Sequence, residues 1–291
     1  MKSQPVNAFL DLPMAYAQLT GSRFVILPIR YDGSVSYKRG AGLAPDAIIE
    51  ASKEIETFDE QLAGEFFQAG IHTHPGIDGT NFSPEQIQEE IYTTVLPLLE
   101  MGKVPISLGG DHSVTPALVK AAKQARPNLS VLHIDAHGDF RDRYLDSPWS
   151  HASIMRRIYD MGIPSISLGI RSICREQYDF IRDHDIAILP PEAVEKDTDG
   201  AIAKILSRLT DEVYITLDID GFDPAIAPGT AIPEPGGLSY YPVLRILEAV
   251  GRFRQIVAAD IVEVMPIPNN YVTEFLAARL AYKIITFAQL R

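Results

Sequence analysis

Cysteine is almost absent from this sequence: Cys174 is the only one among 291 residues, so no disulfide can form within the chain. Proteins of reducing compartments are built this way, and we therefore expect a cytoplasmic location. Cys174 itself is expected to be a small, inert and partly buried side chain, because the sequence shows no neighbouring base and no helix start beside it.

Long apolar runs are also missing. No stretch approaches the roughly 20 residues that a membrane-spanning helix needs. The N-terminal segment has no apolar run behind a basic stretch, which is the pattern of a secretory signal. The sequence therefore predicts a protein without a membrane partner.

Positive charge is scarce as well. The chain has 26 Lys and Arg against 38 Asp and Glu, which gives a formal net charge of −12. Binding to a phosphate backbone requires basic patches, so no nucleic-acid partner is expected. An acidic balance is weakly compatible with a small cationic substrate.

What the sequence does contain is a regular alternation of apolar strand-like runs and helix-like segments, within a hydrophobic content of 46%. The predicted strands are Arg23–Arg30, Val104–Leu108, Leu129–Ile134, Ser165–Gly169, Ile186–Leu189, Glu212–Leu217 and Gln255–Val262. The predicted helices are Pro45–Glu56, one opening at Ser83, Ser113–Ala125, His151–Met161, Gln177–Asp183, Gly200–Leu209, Tyr241–Arg252 and Val272–Phe287. Repeated β–α alternation predicts an α/β fold of three layers, α/β/α, with a central and mostly parallel sheet. No break interrupts the alternation, so we expect one domain over residues 1–291.

Polar side chains cluster at the carboxyl ends of four predicted strands, where open α/β sheets bind their ligands. They are His112, Asp135, His137, Asp139, Asp218, Asp220, Asp260 and Glu263. One polar residue at a strand end is ordinary, whereas a set of this size predicts a shared cleft.

The spacing within this set favours metal binding. Residues two apart in an extended segment share a face, so Asp135, His137 and Asp139 can point the same way, as can Asp218 and Asp220. Buried carboxylates need a partner. Six ligands, four of them carboxylates, exceed what one tetrahedral zinc uses and suit two ions that share bridging carboxylates. A mixture of oxygen and nitrogen ligands favours two Mn²⁺ per chain.

Several blocks of the sequence resemble the signature blocks of the ureohydrolases, the arginase/agmatinase family, most closely the short bacterial and archaeal agmatinases. They are LGGDHS (Leu108–Ser113), DAHGD (Asp135–Asp139), DIDGFDP (Asp218–Pro224) and EVMP (Glu263–Pro266), with Tyr31–Ser52 and Ala227–Ser239 resembling the N-terminal block and the late loop. The resemblance covers nearly the whole chain, and the motifs together are highly specific. It implies the arginase-like version of the α/β/α fold and an assembly of three or six identical chains.

The resemblance also implies a role for each site residue. One Mn²⁺ would be held by His112, Asp135, Asp139 and Asp218, and the other by Asp135, His137, Asp218 and Asp220. Glu263 would bind the substrate guanidinium, and His151 would be the proton-shuttle histidine. The hypothesis for the reaction is that a hydroxide bridging the metals attacks the guanidinium carbon. Asp139 would pass a proton to the leaving amine, and His151 would exchange protons with solvent.

The leading substrate is agmatine, which would yield urea and putrescine and place the chain in polyamine biosynthesis. Arginases of the family carry an asparagine where this chain has Arg141, which argues against arginine. The chain departs from many agmatinases at Gly229–Pro233, where they read GTGTP, and at Pro268–Asn269, where they carry Tyr-Asp. These departures concern the far end of the substrate, so N1-aminopropylagmatine and 4-guanidinobutyrate remain alternatives.

Two other function classes are less favoured. A deacetylase-type hydrolase of related fold would need two adjacent histidines, and the sequence has none. A non-catalytic polyamine-binding relative would be expected to have lost metal ligands, and all six are present.

Two further residues, His133 and Arg141, allow more than one interpretation. His133 is either a partner that orients a metal ligand or a core histidine. Arg141 could bind a substrate carboxylate, although an ion pair with Asp142 or another surface acid is preferred. Asp111 is expected to fix the backbone of its loop.

Overall fold

Apolar, β-branched segments form the centre of the computed structural model, which describes residues 7–34 and 36–291. The strands are β1 (Phe24–Arg30), β2 (Phe58–Asp59), β3 (Gly64–Glu65), β4 (Ile71–Thr73), β5 (Ile77–Asp78), β6 (Val104–Leu108), β7 (Leu129–Ile134), β8 (Ser165–Leu168), β9 (Ala187–Leu189), β10 (Glu212–Asp218) and β11 (Gln255–Val262). The α-helices are α1 (Met14–Ala17), α2 (Ala44–Ser52), α3 (Pro84–Glu100), α4 (Thr115–Ala125), α5 (Ile154–Asp160), α6 (Arg175–Asp183), α7 (Pro191–Lys196), α8 (Thr198–Arg208), α9 (Tyr240–Phe253) and α10 (Val272–Phe287).

The main sheet has nine strands in the order β4-β1-β6-β11-β10-β7-β8-β9, with β5 paired to β1. Every strand pair in it is parallel, whereas the small separate pair β2–β3 is antiparallel. The four strands β6, β11, β10 and β7 lie side by side in the middle of the sheet. Residues that follow them along the chain are therefore brought to one edge.

Helices cover both faces of the sheet because successive strand residues point in opposite directions. On β1, Ile26 belongs to the core cluster packed against α2, α9 and α10, whereas Leu27 belongs to the cluster packed against α3, α4 and α5. The predicted three-layer α/β/α fold with a mostly parallel sheet is confirmed. None of the described helices is long and apolar enough to cross a bilayer.

Helix α3 begins where its sequence predicts. Ser83 Oγ accepts a hydrogen bond from the backbone N–H of Gln86 at 3.2 Å, and Gln86 Oε1 accepts one from the backbone N–H of Ser83 at 2.8 Å. This reciprocal capping box satisfies two backbone donors that would otherwise be unpaired.

The differences from the predicted elements lie at ends and in short segments. Helix α2 stops at Ser52 rather than Glu56, and α7 was not predicted. Strands β2 to β5 were missed because each has only two or three residues, which is shorter than a recognisable alternation. Strands β4 and β5 pair with β1 at one edge of the main sheet, away from the four central strands, whereas β2 and β3 form the separate antiparallel pair.

Candidate active site

The side chains predicted to meet do so at the carboxyl ends of the four central strands, with the exception of Asp260, which lies within β11 and does not reach the cavity. Because β6, β11, β10 and β7 are neighbours, their following segments form one floor. A cavity of about 180 Å³ opens above it, and the predicted site residues that line it are His112, His137, Asp139, His151, Asp218, Asp220 and Glu263. Asp135 lies beneath them and is completely buried.

His112 is the point on which three carboxylates converge. Its Nδ1 lies 3.2 Å from Asp135 Oδ2, 3.3 Å from Asp218 Oδ2 and 3.4 Å from Asp139 Oδ2. This nitrogen is buried and has no hydrogen-bond partner among the described residues. Buried polar atoms without a partner are rare. A cation placed among this nitrogen and the three carboxylate oxygens would give all of them a partner.

His137 forms a second group with two carboxylates. Its Nδ1 lies 3.0 Å from Asp220 Oδ2 and 3.6 Å from Asp135 Oδ1. Asp220 is in turn fixed by a 3.0 Å hydrogen bond that its Oδ1 accepts from the backbone N–H of Ala136. Asp135 therefore faces both histidines from between them.

Two sets of described side chains have ligand atoms that all lie within 4.8 Å of one another, and each set could hold a metal ion. They are His112, His133, Asp135 and Asp139, and Asp135, His137 and Asp220. Asp218 belongs to neither set, although its Oδ2 is close to His112. The presence of a His/Asp metal-binding cluster agrees with the sequence prediction.

The sequence left the role of His133 open between an orienting partner and a core histidine. Its Nε2 lies 2.9 Å from Asp135 Oδ2, and its Nδ1 lies 3.0 Å from Ser167 Oγ. Both ring nitrogens are thus engaged, and His133 is a hydrogen-bonding partner that orients Asp135.

Electrostatics of the cluster favour bound positive charge. Burial acts to lower the pKa of His137, but Asp135 and Asp220 outweigh it and raise this pKa to about 12. The pKa of His112 is likewise held well above its ordinary value by Asp135, Asp139 and Asp218, against the effect of burial. Burial and neighbouring carboxylates raise the pKa of Asp218 well above its ordinary range. Divalent cations would relieve this excess of negative charge and take the place of protons on the histidines.

Glu263 is held in an unusual backbone conformation. Its φ is 61°, in the left-handed region that a glutamate rarely adopts. Its backbone N–H donates to Gly110 O at 2.8 Å, and its Oε1 accepts from the backbone N–H of His112 at 2.7 Å. Burial, followed by the charge of Asp111, raises the pKa of the carboxyl well above its ordinary value. Such strain and pKa perturbation together are typical of functional sites.

The loop that carries His112 depends on glycine. A Cβ on Gly110 would lie 1.7 Å from Tyr31 O, so no other residue fits without moving the backbone. Asp111 fixes the same loop as expected, since its Oδ1 accepts from the backbone N–H of Ser113 at 3.0 Å and its Oδ2 from that of Ser34 at 2.8 Å.

His151 stands at the wall of the cavity, where it is partly exposed. Its Nδ1 lies 3.2 Å from Ser34 Oγ, which also accepts from the backbone N–H of His151 at 3.0 Å. The ring of Tyr144 meets its ring edge-on, with centroids 5.7 Å apart. The segment after β1 therefore orients His151, a contact that no sequence motif indicated.

The rest of the cavity wall comes from four segments of the chain. The lining residues outside the predicted set are Ser36, Tyr37, Arg141, Tyr144, Ala152, Ser172, Ile173, Cys174, Gln177, Thr230, Ala231 and Ile232. Arg141 pairs with another surface acid, as the sequence allowed: its guanidinium lies 4.0 Å from Oε2 of the exposed Glu176 rather than beside Asp142, and it lies over the Tyr144 ring at 5.0 Å. Cys174 precedes helix α6, so the expectation of no helix start beside it was wrong.

Arg171 is a residue of this region that the sequence analysis missed. Its guanidinium donates to the backbone carbonyls Asp220 O at 2.9 Å, Pro235 O at 3.0 Å and Glu234 O. It thus ties the turn that carries Asp220 to the loop that lines the cavity. The signal that could have found it is its position just after strand β8, at the same edge of the sheet as the cluster.

Comparison with known proteins identifies relatives along almost the whole chain. A model of the arginase family matches residues 22–286. The N(1)-aminopropylagmatine ureohydrolase of Synechocystis sp. is 34% identical over 269 residues, which cover 90% of this chain and 88% of that protein. The agmatinase of Pyrococcus horikoshii is 30% identical over 280 residues, covering 94% and 95%. The solved structure of the agmatine ureohydrolase of Thermoplasma volcanium has a TM-score of 0.89 and 30% identity, with 98% of this chain and 95% of that chain covered.

Proposed function

Since this chain belongs to the arginase family, we propose that it hydrolyses a small guanidino compound to urea and an amine, with agmatine as the leading substrate. The observation that carries the proposal is the juxtaposition of Glu263 with the His/Asp cluster in one cavity. A cluster alone predicts only a metal site. A buried carboxylate beside it adds a group able to hold a guanidinium at the reacting position.

The donor set fits two Mn²⁺ ions, which we propose as the cofactors. The unpaired Nδ1 of His112 with its three carboxylate neighbours provides one position, and His137 with Asp220 provides the other. The proposed ligands are His112, Asp135, His137, Asp139, Asp218 and Asp220, with Asp135 and Asp218 shared. When bound, such a pair of ions supplies an activated water at neutral pH.

Glu263 would bind and orient the guanidinium. Four aspartates offset the charge of two divalent ions, so the buried Glu263 leaves the cavity net negative and attractive to a cation. An anion at the same position would be repelled. Its Oε1 already accepts from the backbone of His112, which fixes the carboxylate relative to the cluster.

Asp139 and His151 would carry out the proton transfers of the reaction. Asp139 lines the cavity, and its Oδ2 lies 3.4 Å from Nδ1 of His112. We assign it the transfer of a proton to the leaving amine. His151, partly exposed and hydrogen-bonded to Ser34, would exchange protons between the cavity and solvent.

The far end of the substrate is less constrained than the reacting end. The cavity wall there combines the rings of Tyr37 and Tyr144 with Arg141, and among the described residues its carboxylates are those of the cluster and Glu263. N1-aminopropylagmatine is the second candidate, because the N(1)-aminopropylagmatine ureohydrolase of Synechocystis sp. is 34% identical to this chain, against 30% for the agmatinase of Pyrococcus horikoshii. 4-Guanidinobutyrate is a third, since Arg141 could receive its carboxylate.

We propose a cytoplasmic enzyme, active as a homotrimer or homohexamer and serving polyamine biosynthesis. A net charge of −12 supports a cationic small molecule rather than nucleic acid as its partner.

A urea-release screen with Mn²⁺-loaded protein tests the proposal. Agmatine, N1-aminopropylagmatine, 4-guanidinobutyrate and arginine are compared by kcat/KM, and acetylputrescine deacetylation is assayed alongside. We expect urea from agmatine or N1-aminopropylagmatine to exceed that from arginine by at least about tenfold, since Arg141 replaces the residue that arginases use. Acetate release without urea release would overturn the proposal.

A further inference from the structure

Asp260 is a buried carboxylate to which the proposed reaction gives no role. It lies within strand β11, has no exposed surface and does not line the active-site cavity. Three hydroxyl groups donate to it: Thr216 to Oδ1 at 2.7 Å, and Tyr214 and Thr115 to Oδ2 at 2.6 and 3.1 Å. A carboxyl group buried at this depth and satisfied by three hydroxyls is a specific construction that simple packing would not require.

The carboxylate is connected to the candidate metal centre by one hydroxyl. Thr216 Oγ1 lies 2.9 Å from Nε2 of His112. The other ring nitrogen of His112, Nδ1, faces the three carboxylates of the cluster. A series of hydrogen bonds therefore runs from the metal centre through His112 and Thr216 to Asp260.

The donor of each of these hydrogen bonds follows from counting the protons that each group carries. A threonine hydroxyl has one proton, and an ionised carboxylate can only accept, so Thr216 donates to Asp260. Thr216 then offers His112 only a lone pair, which requires the ring proton to be on Nε2. Nδ1 is left with its lone pair directed at the cluster, which is the form of imidazole that binds a metal.

We propose that Asp260 and Thr216 are positioning residues that select the metal-binding tautomer of His112 and fix its ring, an inference that rests on the proposed two-ion site. The effect is local to one ion. His137 has no comparable series of hydrogen bonds among the described residues and is 24% exposed at its side chain, so the ion beside it does not depend on Asp260. Partners of this kind contribute roughly 10- to 100-fold to metal affinity.

The test is a Mn²⁺ titration of the metal-free protein, in which free Mn²⁺ is followed by its electron paramagnetic resonance signal. Thr216→Val keeps the size and β-branching of threonine and removes the hydroxyl. We expect it to weaken one of two bound ions by roughly 10- to 100-fold and to leave the other unchanged. Thr216→Ser restores the hydroxyl and should bind both ions like the wild type. Asp260→Asn, which cannot accept from all three hydroxyls, should weaken the same single ion and serves if Thr216→Val does not fold.

A control variant distinguishes the effect of this hydrogen-bond series from the effect of losing any buried hydroxyl. Ser130 is buried at the opposite end of neighbouring strand β7, where its hydroxyl contacts Thr210 and Glu212, so Ser130→Ala should leave both ions unaffected. Unchanged affinities in Thr216→Val, or equal weakening of both ions in Thr216→Val and Thr216→Ser, would overturn the positioning role while leaving the proposed function intact. A wild type that binds fewer than two ions would overturn both.

Discussion

Glu263→Gln is expected to reduce kcat/KM for the preferred guanidino substrate by roughly 30- to 5000-fold, which corresponds to about 2–5 kcal/mol for removing one partner of a buried charge pair. The substitution keeps the shape of the side chain. Glutamine Oε1 can still accept the hydrogen bond from the backbone N–H of His112, so the loop is expected to stay in place. What is lost is the negative charge that the guanidinium needs.

The measurement is urea release together with metal content, and a matched control is available. Glu274→Gln makes the same chemical change at another buried glutamate, on α10 and outside the cavity. We expect Glu274→Gln to retain wild-type kcat/KM and Glu263→Gln to retain its metal. Wild-type activity in Glu263→Gln would show that the guanidinium is bound elsewhere.

Asp139→Asn is expected to lower kcat by at least about 100-fold, because it removes both a proposed metal ligand and the group that transfers a proton to the leaving amine. Asparagine adopts the left-handed conformation as readily as aspartate, so the φ of 55° at this position is not an obstacle to folding. The amide is also nearly the same size as the carboxylate, so it can keep the contact with His112. The loss should therefore reflect chemistry rather than displacement of the loop.

Asp142→Asn is the matched control, since Asp142 is exposed and pairs with Arg157 at 2.8 Å outside the cavity. Exposed ion pairs contribute about 1 kcal/mol or less, so this variant should keep wild-type kcat. An Asp139→Asn protein that released urea at the wild-type rate would remove Asp139 from the mechanism. One that lost activity only through lost metal, and recovered it fully in excess Mn²⁺, would limit its role to that of a ligand.

The position of the cluster was predictable from sequence because of a general property of parallel sheets. Apolar runs identify the strands, and the carboxyl ends of parallel strands share one edge of the sheet. The sequence alone therefore predicts that His112, Asp135 and Asp218 lie close together. Strand order was not needed for this inference. It was needed to see that β6, β11, β10 and β7 are direct neighbours.

The parts that sequence could not supply are those that depend on three-dimensional contacts between ordinary-looking residues. Thr216 on a buried strand is a typical β-former, and only the structure shows its hydroxyl between His112 and Asp260. The left-handed backbone of Glu263 has no sequence signature, because glutamate is not a residue that favours it. Ser34 likewise meets His151 across 117 residues of chain.

Anomalous diffraction at the manganese edge from Mn²⁺-loaded crystals tests the central claim most directly, because it locates each ion. We predict two peaks per chain, one beside Nδ1 of His112 and Asp139 and the other beside Nδ1 of His137 and Asp220. A single peak, or peaks remote from the cavity, would contradict the two-ion account of this site.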